Sequence, residues 1–164
     1  MRRKIRLLAF LPAIVLMITI FCFSAQNGNE SAKVSGGTAV TIISAVNRIF
    51  ELNMSRKMII KEAGNMQFVV RKAAHMAEYA CLAGLVLFGL SVNLEKKKYL
   101  YPLSLGAAAL YASTDEIHQL FTPGRSGEVR DVIIDTCGAL IGLLVIRFVV
   151  SLRNRRQARG VDLT

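Results

Sequence analysis

A chain of 164 residues with 53% hydrophobic side chains and a mean hydropathy of +0.43 is too apolar for an ordinary water-soluble domain. Its 20% charged residues fall mainly between long apolar blocks, as they do in chains that cross a bilayer. A net charge of +10 could suit a nucleic-acid binder, but there is no Trp, only 7% of residues are aromatic, and the cations form no single basic domain, so nucleic acid is not an expected partner.

The first apolar block, residues 7–23, carries no charge and follows Arg2, Arg3, Lys4 and Arg6. It predicts a membrane span over about residues 5–24. A cleaved signal peptide would have a shorter apolar part and a small-x-small site, which Phe23-Ser24-Ala25 fits poorly. Gly36-Gly37 then reads as a break. Beyond it Val40, Ile43, Val46, Ile49 and Phe50 recur at helical spacing, with Thr41, Ser44, Asn47, Arg48 and Glu51 pointing elsewhere. This predicts an amphipathic helical segment over about 38–62, lying in the membrane interface or capping the bundle, with a solvated loop as the third choice. Further apolar blocks predict spans at about 68–93, 99–121 and 130–152, each of the length that a hydrocarbon core of about 30 Å requires. A basic tail, 153–164, ends the chain. The expected fold is all-α: a single integral membrane domain over 1–164, built as a four-transmembrane-helix bundle with an amphipathic extracytoplasmic segment between the first two spans.

Orientation follows from the cations. With the N-terminus inside, Arg2, Arg3, Lys4, Arg6, Lys96, Lys97, Lys98, Arg147, Arg153, Arg155, Arg156 and Arg159 share one side with only Glu95 and Asp162. The other side is balanced, so the whole excess of +10 lies on one side. Both termini are therefore expected in the cytoplasm, where anionic inner-leaflet lipid would be the partner of the basic ends.

Once the spans are oriented, the costly polar side chains gather at their outer ends. Ser24, Gln26 and Asn27 end the first span, while Lys72, His75, Glu78 and Tyr79 open the second. Asp115, Glu116, His118 and Gln119 close the third, Arg125 lies in the next turn, and Arg130, Asp131 and Asp135 open the fourth. Residues three and four apart share a helix face. Lys72, His75 and Tyr79 thus form one stripe, Tyr111, Asp115 and Gln119 a second, and Asp131, Asp135, Gly138 and Gly142 a third. The last two residues make a G-x-x-x-G step, which favours close helix approach. An ionisable group facing lipid is costly, so these faces are expected to point into the bundle.

Several chemistries fit such a layer. Lys72, Arg125, Arg130 or a protonated His75 could offset the carboxylates, and Asp131 could simply cap a helix N-terminus. In the turn Thr122-Pro123-Gly124-Arg125-Ser126-Gly127, Arg125 could either clamp Asp115, Glu116 or Asp131 or take a phosphate or carboxylate ligand. No H-x-x-x-H or H-E-x-x-H spacing occurs, so neither metal nor cofactor is predicted. Cys22, Cys81 and Cys137 lack C-x-x-C spacing and are expected to pack as small apolar side chains.

Phe23-Ser24-Ala25-Gln26, Arg71-Lys72-Ala73-Ala74-His75 with Glu78-Tyr79, and the run Asp115-Glu116-Ile117-His118-Gln119 through Pro123-Gly124-Arg125 to Asp131-Val132, Asp135 and Gly138 resemble the VanZ-like membrane family. Ala25 departs from the pattern, which has a second Ser there. The resemblance implies a small polytopic protein of the bacterial envelope, in a family whose namesake is associated with resistance to teicoplanin-type glycopeptides. It supplies no reaction.

The expected function is binding of an anionic headgroup, from phospholipid or a lipid-linked cell-wall intermediate, at the outer polar layer. Gln26, Lys72, His75, Tyr79, Asp115, Glu116, His118, Gln119, Arg125, Asp131 and Asp135 form the candidate cluster, with Lys72 and Arg125 on the anion. A membrane-embedded hydrolase or transferase acting on a lipid or cell-wall precursor is the alternative, so enzymatic activity stays open. A transporter is disfavoured, because residues 82–90, 103–110 and 141–145 hold no ionisable side chain that could continue a path.

Overall fold

The protein was analysed as a computed structural model that describes residues 6–161, with side chains described to residue 157. Arg2, Arg3, Lys4, the Arg159 side chain and Asp162, all counted in the orientation argument, lie outside that range. The described elements are α1 (Leu11–Ser24), α2 (Gly28–Ile49), α3 (Arg56–Asn93), a 3-10 turn (Lys97–Tyr99), α4 (Leu100–Gln119) and α5 (Val129–Val161).

Helical residues 6–8 precede α1 and are separated from it by a turn at Ala9 and Phe10, whose N–H groups donate to the carbonyls of Arg6 and Leu7 at 3.2 and 3.1 Å. Pro12 explains the break, since it has no N–H for the carbonyl four residues back and its ring crowds that position. The stretch Arg6–Ser24, α3 and the Val129–Gln157 part of α5 are each long and apolar enough to cross a membrane. Only 17%, 28% and 22% of their most apolar windows are buried, so most of those side chains face outward and require an apolar surrounding.

Of the four spans expected, three are helices of crossing character; α4, at 20 residues, is not among them. Ser104, Asp115, Glu116 and Gln119 lower its average hydropathy, and all four are buried against its neighbours.

Helix α3 is the centre of the bundle and packs on α1, α2, α4 and α5. The core joins Ile20 of α1, Tyr79, Leu82 and Ala83 of α3, Ala108 and Ala112 of α4, and Ala139 and Leu143 of α5. Helices α3 and α5 pack backbone against backbone, as the G-x-x-x-G step predicts. A Cβ added at Gly138 would run into the backbone of Met76, and one at Gly142 would lie 2.8 Å from Ala80 Cβ. Small residues here let the two backbones meet.

The segment between the first two spans departs furthest from the expected 38–62. Helix α2 runs unbroken through Gly36-Gly37, and α3 begins at Arg56, so the second span is the inner part of one 38-residue helix. Two helical glycines cost about 1 kcal/mol each, but packing and capping offset them. The Asn27 side chain caps α2 by accepting the Glu30 N–H at 2.9 Å. Ser35, Ala39 and Ile43, four apart, bury one face, and Ala39 and Ile43 pack with Ala63, Ile59 and Val70 of α3. Gln67 Nε2 ties the pair by donating to the Ala32 carbonyl at 2.9 Å. In the connecting turn Glu51 and Asn53 have φ of 50° and 52°, and Asn47 Oδ1 accepts the Met54 N–H at 2.9 Å. The result is a helical hairpin built on an extension of α3. At the other end α5 continues to Val161, so most of the expected tail is helix, consistent with its Arg, Gln and Ala content.

The three cysteines are free and exposed on the helix surfaces rather than packed inside.

Candidate functional site

The C-terminal end of α1, the middle of α3, the end of α4 and the start of α5 meet at one end of the bundle, closed by the turn of residues 120–128. Gly124, with φ of +72°, shapes that turn as only glycine readily does. The turn is bonded directly to the end of α1, the link after it and the start of α2. Gly28 N–H donates to the Pro123 carbonyl at 3.2 Å, and Arg125 Nε and Nη2 donate to the carbonyls of Gln26 and Phe23 at 3.2 and 3.4 Å. A helix C-terminus leaves carbonyls without donors and carries partial negative charge, so a guanidinium is a natural partner. Of the two readings of Arg125, the clamp is realised, but on backbone carbonyls rather than on Asp115, Glu116 or Asp131. Burial, and next the neighbouring Arg71 guanidinium, pull the Arg125 pKa below its usual value, against Asp115 and Glu116. Arginine starts high enough to stay charged.

Lys72 forms an ion pair with Asp131 across α3 and α5, with side-chain exposures of 14% and 15%. Gln119 Nε2 donates to Asp115 Oδ2 at 3.3 Å and to Glu116 Oε1 at 3.1 Å, while the Glu128 N–H donates to Glu116 Oε2 at 2.9 Å. Asp115, Glu116, Gln119 and Asp135 are all buried, and none of the three carboxylates forms an ion pair among the described residues. Tyr79 is completely buried, its ring 6.2 Å from that of Tyr111, and its hydroxyl has no partner. Ser24 Oγ, His75 Nδ1, Asp115 Oδ1, His118 Nε2 and Asp131 Oδ1 are likewise buried without partners.

Two cavities open among these groups. The larger, about 180 Å³, lies between α1, α2 and α3 and has an apolar wall that includes Phe23, Val34 and Val70. The smaller, about 80 Å³, lies under the turn between α3 and the start of α5, beside Lys72, Gln119, Arg130 and Asp131. Arg71, His75 and Arg125 line both. Gln26 reaches the larger cavity. His75 Nδ1 lies 3.8 Å from Glu78 Oε2 at that cavity's edge.

The remaining predicted residues fall outside the cavities. His118 stacks on Phe21 of α1 with ring centroids 4.3 Å apart. Tyr79, Asp115, Glu116 and Asp135 form a buried layer that lines neither cavity. Arg130, by contrast, lines the smaller cavity and pairs with Glu128 at 3.2 Å, and both are well exposed. No group of three His, Cys, Asp or Glu among the described residues is placed to hold a metal ion. Of the three residues that line both cavities, Arg71 is the one absent from the predicted cluster. The signal was its spacing, since Arg71, His75 and Glu78 recur at four and three residues and share a helix face.

The VanZ/LLP1 family model matches residues 9–150, from the turn before α1 to the far part of α5. The chain belongs to the VanZ/LLP1 family. The match takes in both cavities and the whole turn of residues 120–128, so the polar end of the bundle is part of the VanZ/LLP1 fold rather than an addition to it. Neither curated proteins nor solved structures gave a significant match.

Proposed function

We propose that this VanZ/LLP1 protein is a multi-pass component of the bacterial cell envelope that binds an anionic headgroup in the paired cavities. The ligand would be a phospholipid or a lipid-linked cell-wall intermediate. Four crossings with cytoplasmic termini are part of this reading. Helix α4 supports the fourth, because Leu103, Leu110 and Ile117 recur every seven residues on an exposed face while Ser104, Asp115, Glu116 and Gln119 are buried. Its low average hydropathy comes from the side that lipid would not touch.

One observation carries the binding reading: Arg71 and Arg125 line both cavities, and neither forms an ion pair among the described residues. Two such guanidiniums beside a space of about 80 Å³ are suited to a phosphate or carboxylate, which they grip by parallel hydrogen bonds. The apolar wall of the larger cavity would take the first carbons of a lipid tail. Lys72, already neutralised by Asp131, orients the site, and Arg71 takes the place on the anion that the sequence reading gave to it.

The test is binding of phosphatidylglycerol and of a lipid-linked cell-wall precursor to the purified protein. Arg71→Gln removes an anion contact without touching the turn, and should weaken binding about tenfold. Arg125→Ala should weaken it further. Unchanged binding by Arg71→Gln rejects the site. Teicoplanin-type resistance is the most specific role consistent with the family, and is tested by glycopeptide susceptibility of cells with and without the protein.

A second reading, a hydrolase or transferase, is favoured by the unpartnered His75 Nδ1 at the cavity wall beside Glu78. A base and a carboxylate at an anion site could move a proton. Turnover of a bound lipid phosphate that disappears in His75→Ala and persists in Asp115→Asn would select this reading.

A further inference from the structure

The opposite end of the bundle carries a second feature, independent of the Arg71 and Arg125 cavities. We infer that a groove formed by α3, α4 and α5 there is a binding site for an anionic phospholipid, with Arg147 and Arg155 on its phosphate and an acyl chain between the helices.

Arg147 stands in an otherwise apolar run, residues 143–150, where an unpartnered cation is costly in a membrane. It is exposed, and it forms no ion pair among the described residues. Ser151, Asn154 and Arg155 follow at four, seven and eight residues and so lie along the same face of α5. With Tyr101 of α4 and Val150 they line an open groove of about 450 Å³. Two guanidiniums, a hydroxyl and an amide within two helical turns are donors suited to phosphate oxygens.

The polar groove does not end there. Tyr101 and Val150 also belong to an adjoining space of about 310 Å³ whose other walls are mainly apolar, including Gly84, Leu87 and Phe88 of α3, Leu100 of α4 and Ile146 of α5. Gly84 helps to keep this space open, since a Cβ there would already lie 3.0 Å from Ile146 Cδ1. Cationic groove and apolar slot are therefore joined end to end, as a phosphate and the chain attached to it are. A free anion would use the first and leave the second unfilled. Lys97 and Lys98, just before α4, add positive charge at this depth. In the orientation proposed above, the lipid belongs to the cytoplasmic leaflet.

The experiment uses the full chain in bilayer nanodiscs containing a phosphatidylglycerol with a photoreactive group in one acyl tail. Crosslinks should concentrate on residues 84–91 and 100–101. Arg147→Gln combined with Arg155→Gln should lower that labelling about tenfold, the effect of losing charge-assisted hydrogen bonds. Ser91→Phe, which fills the slot from its exposed wall, should lower it with both arginines intact. Arg71→Gln should leave it unchanged, which separates this site from the one at the turn. Equal labelling in the double variant, displacement of the lipid by inorganic phosphate, or even labelling along all exposed helix faces would each overturn the proposal.

Discussion

At the turn end of the bundle, Lys72 is paired with Asp131 and Arg125 is bonded to the carbonyls of Phe23 and Gln26, whereas at the opposite end Arg147 and Arg155 form no ion pair among the described residues. Both regions carry several cations, but those cations do different work. Those at the turn are partly buried and fix helix positions, and only Arg71 beside them is free of carbonyl and carboxylate partners among the described contacts. Those at the far end are exposed and available to lipid. Charge count alone therefore says little about role; what decides it is whether the surrounding backbone and carboxylates already satisfy the cation.

This comparison can be broken most forcefully through the backbone contact that sets the turn end in place. Gly138→Val would force a side chain into the backbone of Met76, and is expected to cost about 3 kcal/mol or to prevent folding. Gly106→Val, at a position where an added Cβ meets nothing within 4 Å, should fold normally. Thermal unfolding in detergent reads both, and equal stability of the two variants would refute the close α3–α5 packing. A smaller effect separates the two classes of cation. Lys72→Ala leaves Asp131 unpaired and should cost about 2 kcal/mol, since the pair is not fully buried. Arg147→Ala should change stability by less than about 0.5 kcal/mol. If the order were reversed, the contrast between structural and available cations would be wrong.

How much of this was readable beforehand differs between fold and site. Three apolar blocks and the Gly138/Gly142 step were legible because hydropathy reports the lipid and residue size reports helix approach. The unbroken α2 was not, because Gly36-Gly37 signals a break locally and is overridden by packing against Gln67 and Ala63 on a distant part of the chain. The length of α3 was hidden for the same reason, its first turns being packed in the hairpin with α2. At the site, spacing and position were enough to gather the polar residues at one end. Pairing was not legible. The partners of Arg125 are backbone carbonyls, which leave no mark in a sequence, and the spacing of His118 does not reveal that it faces Phe21 of α1. Arg71 was overlooked for Lys72 because adjacent cations look alike until one of them is seen to be neutralised.

The finest version of the comparison lies in two tyrosines whose rings are 6.2 Å apart. Tyr111 donates its hydroxyl to the Met17 carbonyl at 2.6 Å, tying α4 to α1, whereas the Tyr79 hydroxyl is buried without a partner. Removing a hydroxyl that is bonded forfeits a hydrogen bond, while removing an unbonded one relieves a buried polar group. Tyr111→Phe should therefore destabilise the protein by about 1 kcal/mol, and Tyr79→Phe should be neutral or slightly stabilising. If both cost the same in thermal unfolding, the Tyr79 hydroxyl has a bonded partner in the folded protein. Ser24 Oγ and Asp115 Oδ1, buried and equally unpaired, would then be the first atoms to probe, by Ser24→Ala and Asp115→Asn in the Tyr79→Phe background. Coupling of either substitution to Tyr79→Phe in such a cycle would join α1, α3 and α4 through one polar network. Additivity would leave each hydroxyl isolated.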